Sequence, residues 1–315
     1  VTFTAPFHND SEFITIGPFD KSSILNIGEI RDNSIDFNNA DYKNAGQVKC
    51  ADDLADFKRW IKPVNKEHMC SDNVYMDTIY REVISKFDTS YKIQNMIIPN
   101  EEYTEIKPMD KGDVEVVIDF GKEISGYIEL DIEASQGNIL DFYGIECIQP
   151  NGKVEHTDGV HCTMRYIAKD GRQCYRSAVR RGFRYLVVTF KNLTKPIKIY
   201  RIFSHLSTYP VVYAGDFKCP DWKLNRIWEI ARHTTQLCME DTFVDCPTYE
   251  QTFWVGDARN ESLINYYTFG AYDIVKRCLT LVAKSMSRSN LPESQVPSGW
   301  QCFDSLGTFL DECLP

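Results

Sequence analysis

The sequence lacks the features that mark membrane and nucleotide-binding proteins. No apolar run reaches the roughly 18 residues of a membrane-spanning helix, and the N-terminus does not have a signal-peptide pattern. It also contains no glycine-rich loop of the phosphate-binding kind. We therefore expect no membrane partner and no nucleotide, flavin or haem cofactor.

Basic residues are fewer than acidic residues. The 315 residues include 35 Lys and Arg against 45 Asp and Glu, a formal net charge of −10. This balance disfavours nucleic acid as a partner. A hydrophobic content of 43% is ample for packed cores, and the length is typical of about two domains.

The eleven cysteines lack the spacings of a metal site. None forms a Cys-x-x-Cys pair, and no histidine lies at zinc-finger spacing from such a pair. We therefore predict no metal site. Scattered thiols are typical of a reduced, cytoplasmic protein, in which several are buried as small hydrophobic groups. A set of structural disulfides is the alternative.

The N-terminal two thirds of the chain have mainly the period of β-strands. Over 126–132 the residues alternate, with Ile128, Leu130 and Ile132 on one face and Tyr127, Glu129 and Asp131 on the other. Several short strands parted by turns indicate an antiparallel sandwich. We predict strands at 13–16, 24–28, 114–120, 126–132, 138–144, 163–168, 173–179, 183–190 and 197–206, a turn at 121–123, and short helices at 49–69 and 75–87.

The period becomes helical near residue 220. Asp221 is the expected N-cap of a helix whose apolar stripe begins with Leu224 and Ile227. Two more helices are predicted at 258–268 and 271–286, parted by Gly270. The chain is therefore predicted to be a multi-domain protein, all-β followed by all-α.

A loop between the first two predicted helices holds most of the candidate chemistry. Residues 245–257 include three carboxylates and three aromatic side chains, and Pro247 and Gly256 favour a shaped loop. Carboxylates on a loop held by helices suit acid–base chemistry. A solvated acidic loop is the plainer interpretation, but Phe253 and Trp254 among the charges suit a sugar ring better than bulk water.

The loop resembles a signature of the bacterial α-L-rhamnosidases, which are inverting glycoside hydrolases with an (α/α)6 barrel. The shared positions are Asp245, Cys246, Pro247, Glu250, Trp254, Gly256 and Asp257. Weaker similarity surrounds it at 215–217, 224–228, 119–127 and 181–185. The resemblance implies an antiparallel β-sandwich over 110–212 and the start of the barrel over 213–315. The strand pattern itself predicts a β-rich N-terminal region with possible short helices over 1–109. Six helix pairs need about twelve helices, so we expect a truncated barrel; helices docked on the sandwich or on a second chain are the alternative.

Inverting hydrolysis needs two carboxyl groups on opposite sides of the scissile bond. Glu250 is the predicted general acid, as the resemblance also implies, because neighbouring carboxylates and rings favour its protonated form. Asp245 and Asp257 are predicted to bind sugar hydroxyls and Trp254 to pack on the ring. Asp257 as a helix N-cap and Trp254 as ordinary core are the structural alternatives.

Two features depart from the family pattern. Tyr249, which we place in the substrate-binding set, stands where many members have an Arg, so the specificity for L-rhamnose is open. The family's general base is a Glu farther downstream than residue 315, and Glu293 is the one late acidic residue in a suitable loop. We therefore expect the isolated chain to be inactive or nearly so.

Two other functions compete with hydrolysis. The β-sandwich could be a non-catalytic carbohydrate-binding module that holds sugar through Tyr127, Tyr143 and Tyr185. The helices could instead belong to an interaction protein that pairs with another subunit, and a homo-oligomer is compatible with either function. A rhamnoside-type glycan or glycoside is the predicted partner.

Overall fold

A computed structural model describes residues 4–6, 14–16, 27–32, 42–44, 90–110, 112–148, 154–155, 162–248, 250–287 and 292–296. The helices predicted at 49–69 and 75–87 lie outside the described residues. The described part divides into two units: one draws on 1–122, 127–180 and 184–205, and the other on 123–126, 181–183 and 206–315. The predicted domain boundaries stay predictions. No helix within the described residues is long and apolar enough to cross a bilayer.

The described strands are numbered in chain order. They are β1 (Thr4–Pro6), β2 (Ile14–Ile16), β3 (Ile27–Asp32), β4 (Tyr42–Asn44), β5 (Ser90–Tyr91), β6 (Thr104–Ile106), β7 (Val114–Ala134), β8 (Ile139–Ile145), β9 (Cys147–Ile148), β10 (Val154–Glu155), β11 (Thr163–Ile167), β12 (Gly171–Arg176), β13 (Arg181–Lys191) and β14 (Ile197–Leu206). A 310 turn, Ile93–Met96, follows β5.

Most of these strands belong to one sheet. Its order is β2-β3-β11-β8-β13-β7-β14-β6-β5, and β12 pairs with β7 off this path. The pairing is antiparallel between β8 and both β11 and β13, whereas β3 and β11 are parallel. The predicted fold class, an antiparallel β-sandwich followed by the first helices of a barrel, is confirmed.

The alternation predicted along β7 is confirmed and explains its two faces. Ile128, Leu130 and Ile132 are fully buried. On the opposite face Glu129 pairs with Arg176, at 2.8 Å, and cations likewise cover Asp131. Apolar residues on one face and cross-strand ion pairs on the other are what a sheet with one packed face requires.

The turn predicted at 121–123 was wrong, because β7 runs without a break through these residues. Gly121 takes a φ of +77°, and its N–H donates to Oδ1 of Asp119 at 2.7 Å. Arg184 holds the same carboxylate from β13. A glycine with positive φ inside a strand is compatible with a local irregularity as well as with a turn.

Three helices follow the sheet: α1 (Trp222–Leu237), α2 (Val255–Thr268) and α3 (Tyr272–Ser285). The Asp221 carboxylate caps α1 by accepting from the N–H of Lys223 at 2.8 Å, as predicted. Gly270, at a φ of +64°, separates α2 from α3. The apolar stripe of α1 is open, since Leu224 and Ile227 are 48% and 60% exposed.

Candidate active site

The loop between α1 and α2 is closed at its neck by two hydrogen bonds. The N–H of Asp245 donates to the carbonyl of Thr252 at 3.0 Å, and the N–H of Thr252 donates to Oδ1 of Asp245 at 2.9 Å. Gln251 takes a left-handed φ of +52°, which turns the chain back toward this neck. One oxygen of Asp245 thus holds the loop in shape.

Glu250 lies half-buried in this turn and is held at both its backbone and its carboxyl group. Its N–H donates to the Sγ atom of Cys246 at 3.1 Å, and Nε1 of Trp254 donates to its Oε2. Burial raises the pKa of the Cys246 thiol to about 11, so the sulfur carries a proton at neutral pH. The predicted general acid is therefore fixed by two residues of its own motif.

Phe253 and Trp254 have different surroundings, the first in the core and the second at the candidate site. Phe253 is 4% exposed and packs with Met239, Phe243 and Phe269 in the core beneath the helices. The expectation that it lies beside a sugar was therefore wrong, because the ring is used to anchor the loop. Trp254 is only partly buried, and its indole contacts Glu250. Its packing on a sugar ring stays a prediction.

Helix α2 begins earlier than predicted. Trp254 is the N-cap and Val255 the first helical residue, so Asp257 lies in the first turn and is not the cap. This position is favourable for an acidic residue because backbone N–H groups there point toward it. Asp257 is exposed, which leaves its carboxylate accessible for a ligand.

Residues 292–296 run beside the start of α2. The N–H of Val255 donates to the carbonyl of Ser294 at 2.9 Å, and Trp254 bridges to Gln295. Glu293 belongs to this segment, and its N–H donates to Oγ of Ser285 at 3.0 Å. Glu293 as a whole residue is 1% exposed. The suspected base thus lies near the site but is enclosed by protein.

The strand segment 181–183 supports the loop from the other side, within the same unit. The hydroxyl of Thr248 donates to the carbonyl of Gly182 at 3.1 Å. A Cβ atom on Gly182 would stand 2.6 Å from the carbonyl oxygen of Pro247. The close approach of the two backbones therefore requires glycine here.

Sequence reasoning missed one carboxyl group of the site, that of Glu261. Burial, with the negative charges of Asp257 and Asp245, raises its pKa from 4.5 to about 9. Its Oε2 atom is shielded from solvent and has no hydrogen-bond partner among the described residues. The spacing of four residues from Asp257, which places both on one helix face, was the available signal.

The structure thus brings Asp245, Glu250 and Trp254 together on one loop, and Asp257 follows on the first turn of α2. Tyr249 lies outside the described residues. Across the described part of the chain, no group of three or more His, Cys, Asp or Glu side chains is arranged to hold a metal ion. The arrangement provides a carboxyl group on a rigid turn beside an aromatic ring and further carboxylates.

Models of known protein families match most of the chain, including the loop of the candidate site. Residues 213–308 match the bacterial alpha-L-rhamnosidase 6 hairpin glycosidase domain, and 109–203 match the bacterial alpha-L-rhamnosidase concanavalin-like domain. Residues 1–67 match alpha-L-rhamnosidase domain D2. The chain thus matches three successive α-L-rhamnosidase domain models. The loop that carries Glu250 falls within the first of these matches.

Solved and curated α-L-rhamnosidases resemble the chain over more than half its length. The GH78 family rhamnosidase of Bacillus sp. GL1 is 52% identical over 65% of the chain, with a TM-score of 0.64. A rhamnosidase from Klebsiella oxytoca with rhamnose bound shares the fold, at 23% identity over 64% of the chain and a TM-score of 0.53. An alpha-L-rhamnosidase of Formosa agariphila is 25% identical over 55% of the chain.

The chain is short beside these α-L-rhamnosidases. It spans 22% of the Bacillus protein, 43% of the Klebsiella protein and 19% of the Formosa protein.

Proposed function

We propose that the full-length protein is an inverting α-L-rhamnosidase that removes terminal α-L-rhamnosyl groups, with Glu250 as its general acid. The observation that carries the proposal is the fixed carboxyl group of Glu250, which receives a hydrogen bond from Trp254 inside the residues matched by the glycosidase domain. The 52% identity to a GH78 family rhamnosidase supports the reaction class.

In the proposed reaction Glu250 protonates the glycosidic oxygen as the bond from that oxygen to the anomeric carbon breaks. A water molecule adds to the anomeric carbon from the opposite face and gives its proton to a second carboxylate, so the product has the inverted configuration. The two carboxyl groups of such enzymes stand about 6.5–9.5 Å apart to admit that water. Positioning of the acid is therefore central to the rate.

The remaining motif residues are assigned to sugar binding. Asp257 is exposed on the first turn of α2, and Asp245 is partly exposed at the neck of the loop. Their carboxylates suit hydrogen bonds from sugar hydroxyls. Trp254 is assigned to the apolar face of the ring, and Tyr249 completes the binding set in place of the Arg found in many members.

The general base is not assigned to a described residue. Glu293 is nearby, but its burial keeps the carboxyl group from a water at the sugar. In this proposal the base is a carboxylate that the full-length protein supplies from outside these 315 residues. The 315 residues alone are then expected to bind sugar weakly and to turn it over slowly or not at all.

A non-catalytic carbohydrate-binding module is less well supported. Of the three tyrosines considered for such a role, Tyr143 is 2% exposed and packs with Ile145 and Val187. Tyr185 packs against the same cluster and is partly covered by the guanidinium of Arg184, 4.8 Å from the ring centre. An aromatic platform needs open ring faces, and these rings are largely occupied.

The proposal also includes the binding partner of the protein and its location in the cell. The partner is a rhamnoside-type glycan or glycoside. A bacterial source is proposed from the bacterial alpha-L-rhamnosidase domains that the chain matches. A cytoplasmic location is proposed from the thiols of Cys174, Cys219, Cys246 and Cys278, which form no disulfide. Self-association through the open stripe of α1 is a second proposal, tested by the mass of the chain in solution.

The decisive experiment is hydrolysis of a chromogenic aryl α-L-rhamnoside by the 315-residue chain and by a version extended through a complete helical domain. Turnover by the extended version alone would support a base outside these residues. Turnover by the short chain would require a base within it, with Glu293→Gln as the first variant to test.

The configuration of the first-formed sugar, followed by NMR, tests inversion separately. Retention would contradict the proposed roles even if rhamnose is released. Absence of turnover in both versions, with other aryl glycosides also tried, would contradict the hydrolase assignment and favour a binding role.

A further inference from the structure

Glu261 is a partly buried residue of the candidate site, with one carboxyl oxygen shielded from solvent, that the proposed reaction does not use. It lies on α2 one helical turn after Asp257. Side chains four residues apart on a helix share a face, with Cβ atoms about 6 Å from each other. Glu261 therefore occupies the same side of the helix as one predicted sugar ligand, but nearer the protein interior.

The surroundings of Glu261 are unfavourable for a negative charge. Asp257 acts on it from its own helix and Asp245 from the preceding loop. The thiol of Cys278 on α3 is within electrostatic reach of Glu261, Arg277 and Asp241. The charges that raise the pKa of Glu261 are negative, and its Oε2 atom has no hydrogen-bond partner in the described residues. A buried carboxylate without such compensation is costly.

We propose that Glu261 is a positioning residue held as an uncharged carboxylic acid, so that it adds no third negative charge beside the sugar-binding carboxylates of Asp245 and Asp257. This inference rests on the proposed function for the role of those two aspartates, but not for the protonation itself. The raised pKa of Glu261, about 9, agrees with the neutral form at neutral pH. Its ionisation would place a third negative charge against the two aspartates.

The protonation can be measured without any enzymatic activity. Difference infrared spectra of the 315-residue chain against Glu261→Gln at neutral pH should show the carbonyl stretch of a protonated carboxyl group in the wild type and its loss in the variant. Glu229→Gln is the matched control, because Glu229 is 55% exposed on α1. An unchanged band in Glu261→Gln would overturn the proposal, because Glu261 would then be ionised.

The coupling to the neighbouring carboxylate is tested by titrating that band. In Asp257→Asn one negative charge is removed, so the pH at which the band disappears should fall below that of the wild type. An unchanged midpoint would show that Asp257 does not help to hold the proton, and would overturn the positioning role.

Chemical unfolding provides a second measurement in case the spectra are crowded. A carboxyl group whose pKa is raised on folding makes the protein lose stability as the pH rises from its unfolded to its folded pKa, here from 4.5 to about 9. The urea concentration that unfolds half of the protein should therefore be the same for Glu261→Gln and the wild type near pH 4.5. Toward pH 9 it should become increasingly higher for Glu261→Gln than for the wild type. A pH-independent difference would overturn the proposal. Neither the infrared band nor the urea midpoint depends on rhamnosidase activity. A wrong hydrolase assignment would therefore be seen in the activity assay and would leave these two measurements unchanged.

Discussion

Nε1 of Trp254 donates a hydrogen bond to Oε2 of Glu250, four residues earlier in the chain. Trp254 is also the N-cap of α2, and its neighbours Phe253 and Val255 are hydrogen-bonded to residues 294–296. The indole is therefore fixed by a helix start and by an adjacent strand-like segment. Through it, the position of the proposed general acid depends on the packing of α2.

Trp254→Phe is expected to lower kcat/KM of an active, extended protein by up to about tenfold. The change removes the indole N–H but keeps an aromatic ring, and a hydrogen bond to an uncharged group such as a protonated general acid contributes about 0.5–1.5 kcal/mol. A tenfold loss corresponds to about 1.4 kcal/mol. Steady-state kinetics with an aryl rhamnoside would measure it. Trp228→Phe is the control, because Nε1 of Trp228 is buried without a partner among the described residues; equal losses in both variants would contradict a specific role.

Glu250→Gln is expected to lower kcat by roughly 100- to 10,000-fold while sugar affinity is kept. The amide preserves the size of the side chain and can still contact Trp254, but it cannot supply the proton. The loss should be smallest for substrates with acidic leaving groups, which need little protonation. Kinetics with two aryl rhamnosides of different leaving group and calorimetry with L-rhamnose would measure both effects. A loss of the same size for both substrates would argue against general acid catalysis by this residue.

Gly182→Ala should destabilise the chain by about 1–3 kcal/mol, because its Cβ would stand 2.6 Å from the carbonyl oxygen of Pro247. The loop must then move away from the strand that supports it. Thr248→Val removes only the hydrogen bond to Gly182, which is worth about 1 kcal/mol. Denaturant unfolding of the two variants separates a steric effect from the lost bond. A Gly182→Ala protein as stable as the wild type would show that this close approach is absent in solution.

Cys246→Ala should loosen the turn that carries Glu250, because the sulfur accepts the N–H of Glu250 at 3.1 Å. Cys246→Ser restores an acceptor and should recover part of the lost stability and activity. The comparison of the two variants by thermal unfolding and by kcat distinguishes the hydrogen bond from side-chain volume. If serine and alanine behave alike, the sulfur acts through packing alone.

Local signals predicted the fold better than they predicted the site. The N-cap at Asp221 and the alternation of Ile128, Leu130 and Ile132 depend on neighbouring residues, so the sequence is sufficient for both. Phe253 was misplaced because its burial depends on Phe243, Phe269 and residues of α3, which are distant in the sequence.

The start of α2 was misplaced for a related reason. Trp254 is an uncommon N-cap, and segment 292–296 holds it in place through hydrogen bonds that no local pattern reveals. Glu261 was missed although its spacing from Asp257 was visible. Its pKa is raised by desolvation and by the charges of Asp257 and Asp245, which depend on the folded chain and not on the helical period alone.

The pH profile is the last prediction, and it joins Glu261 to the proposed reaction. As pH rises toward about 9, Glu261 ionises, and the new charge beside Asp245 and Asp257 opposes the ordered arrangement that binds sugar. We expect kcat/KM of an extended, active protein to fall over this range. In Glu261→Gln, which has no proton to lose, that alkaline decline should be reduced or moved to higher pH, with activity at neutral pH preserved within a few fold. If the pH profiles of kcat/KM for the wild type and Glu261→Gln superimpose across the alkaline range, Glu261 does not affect sugar binding, even if spectroscopy confirms its proton.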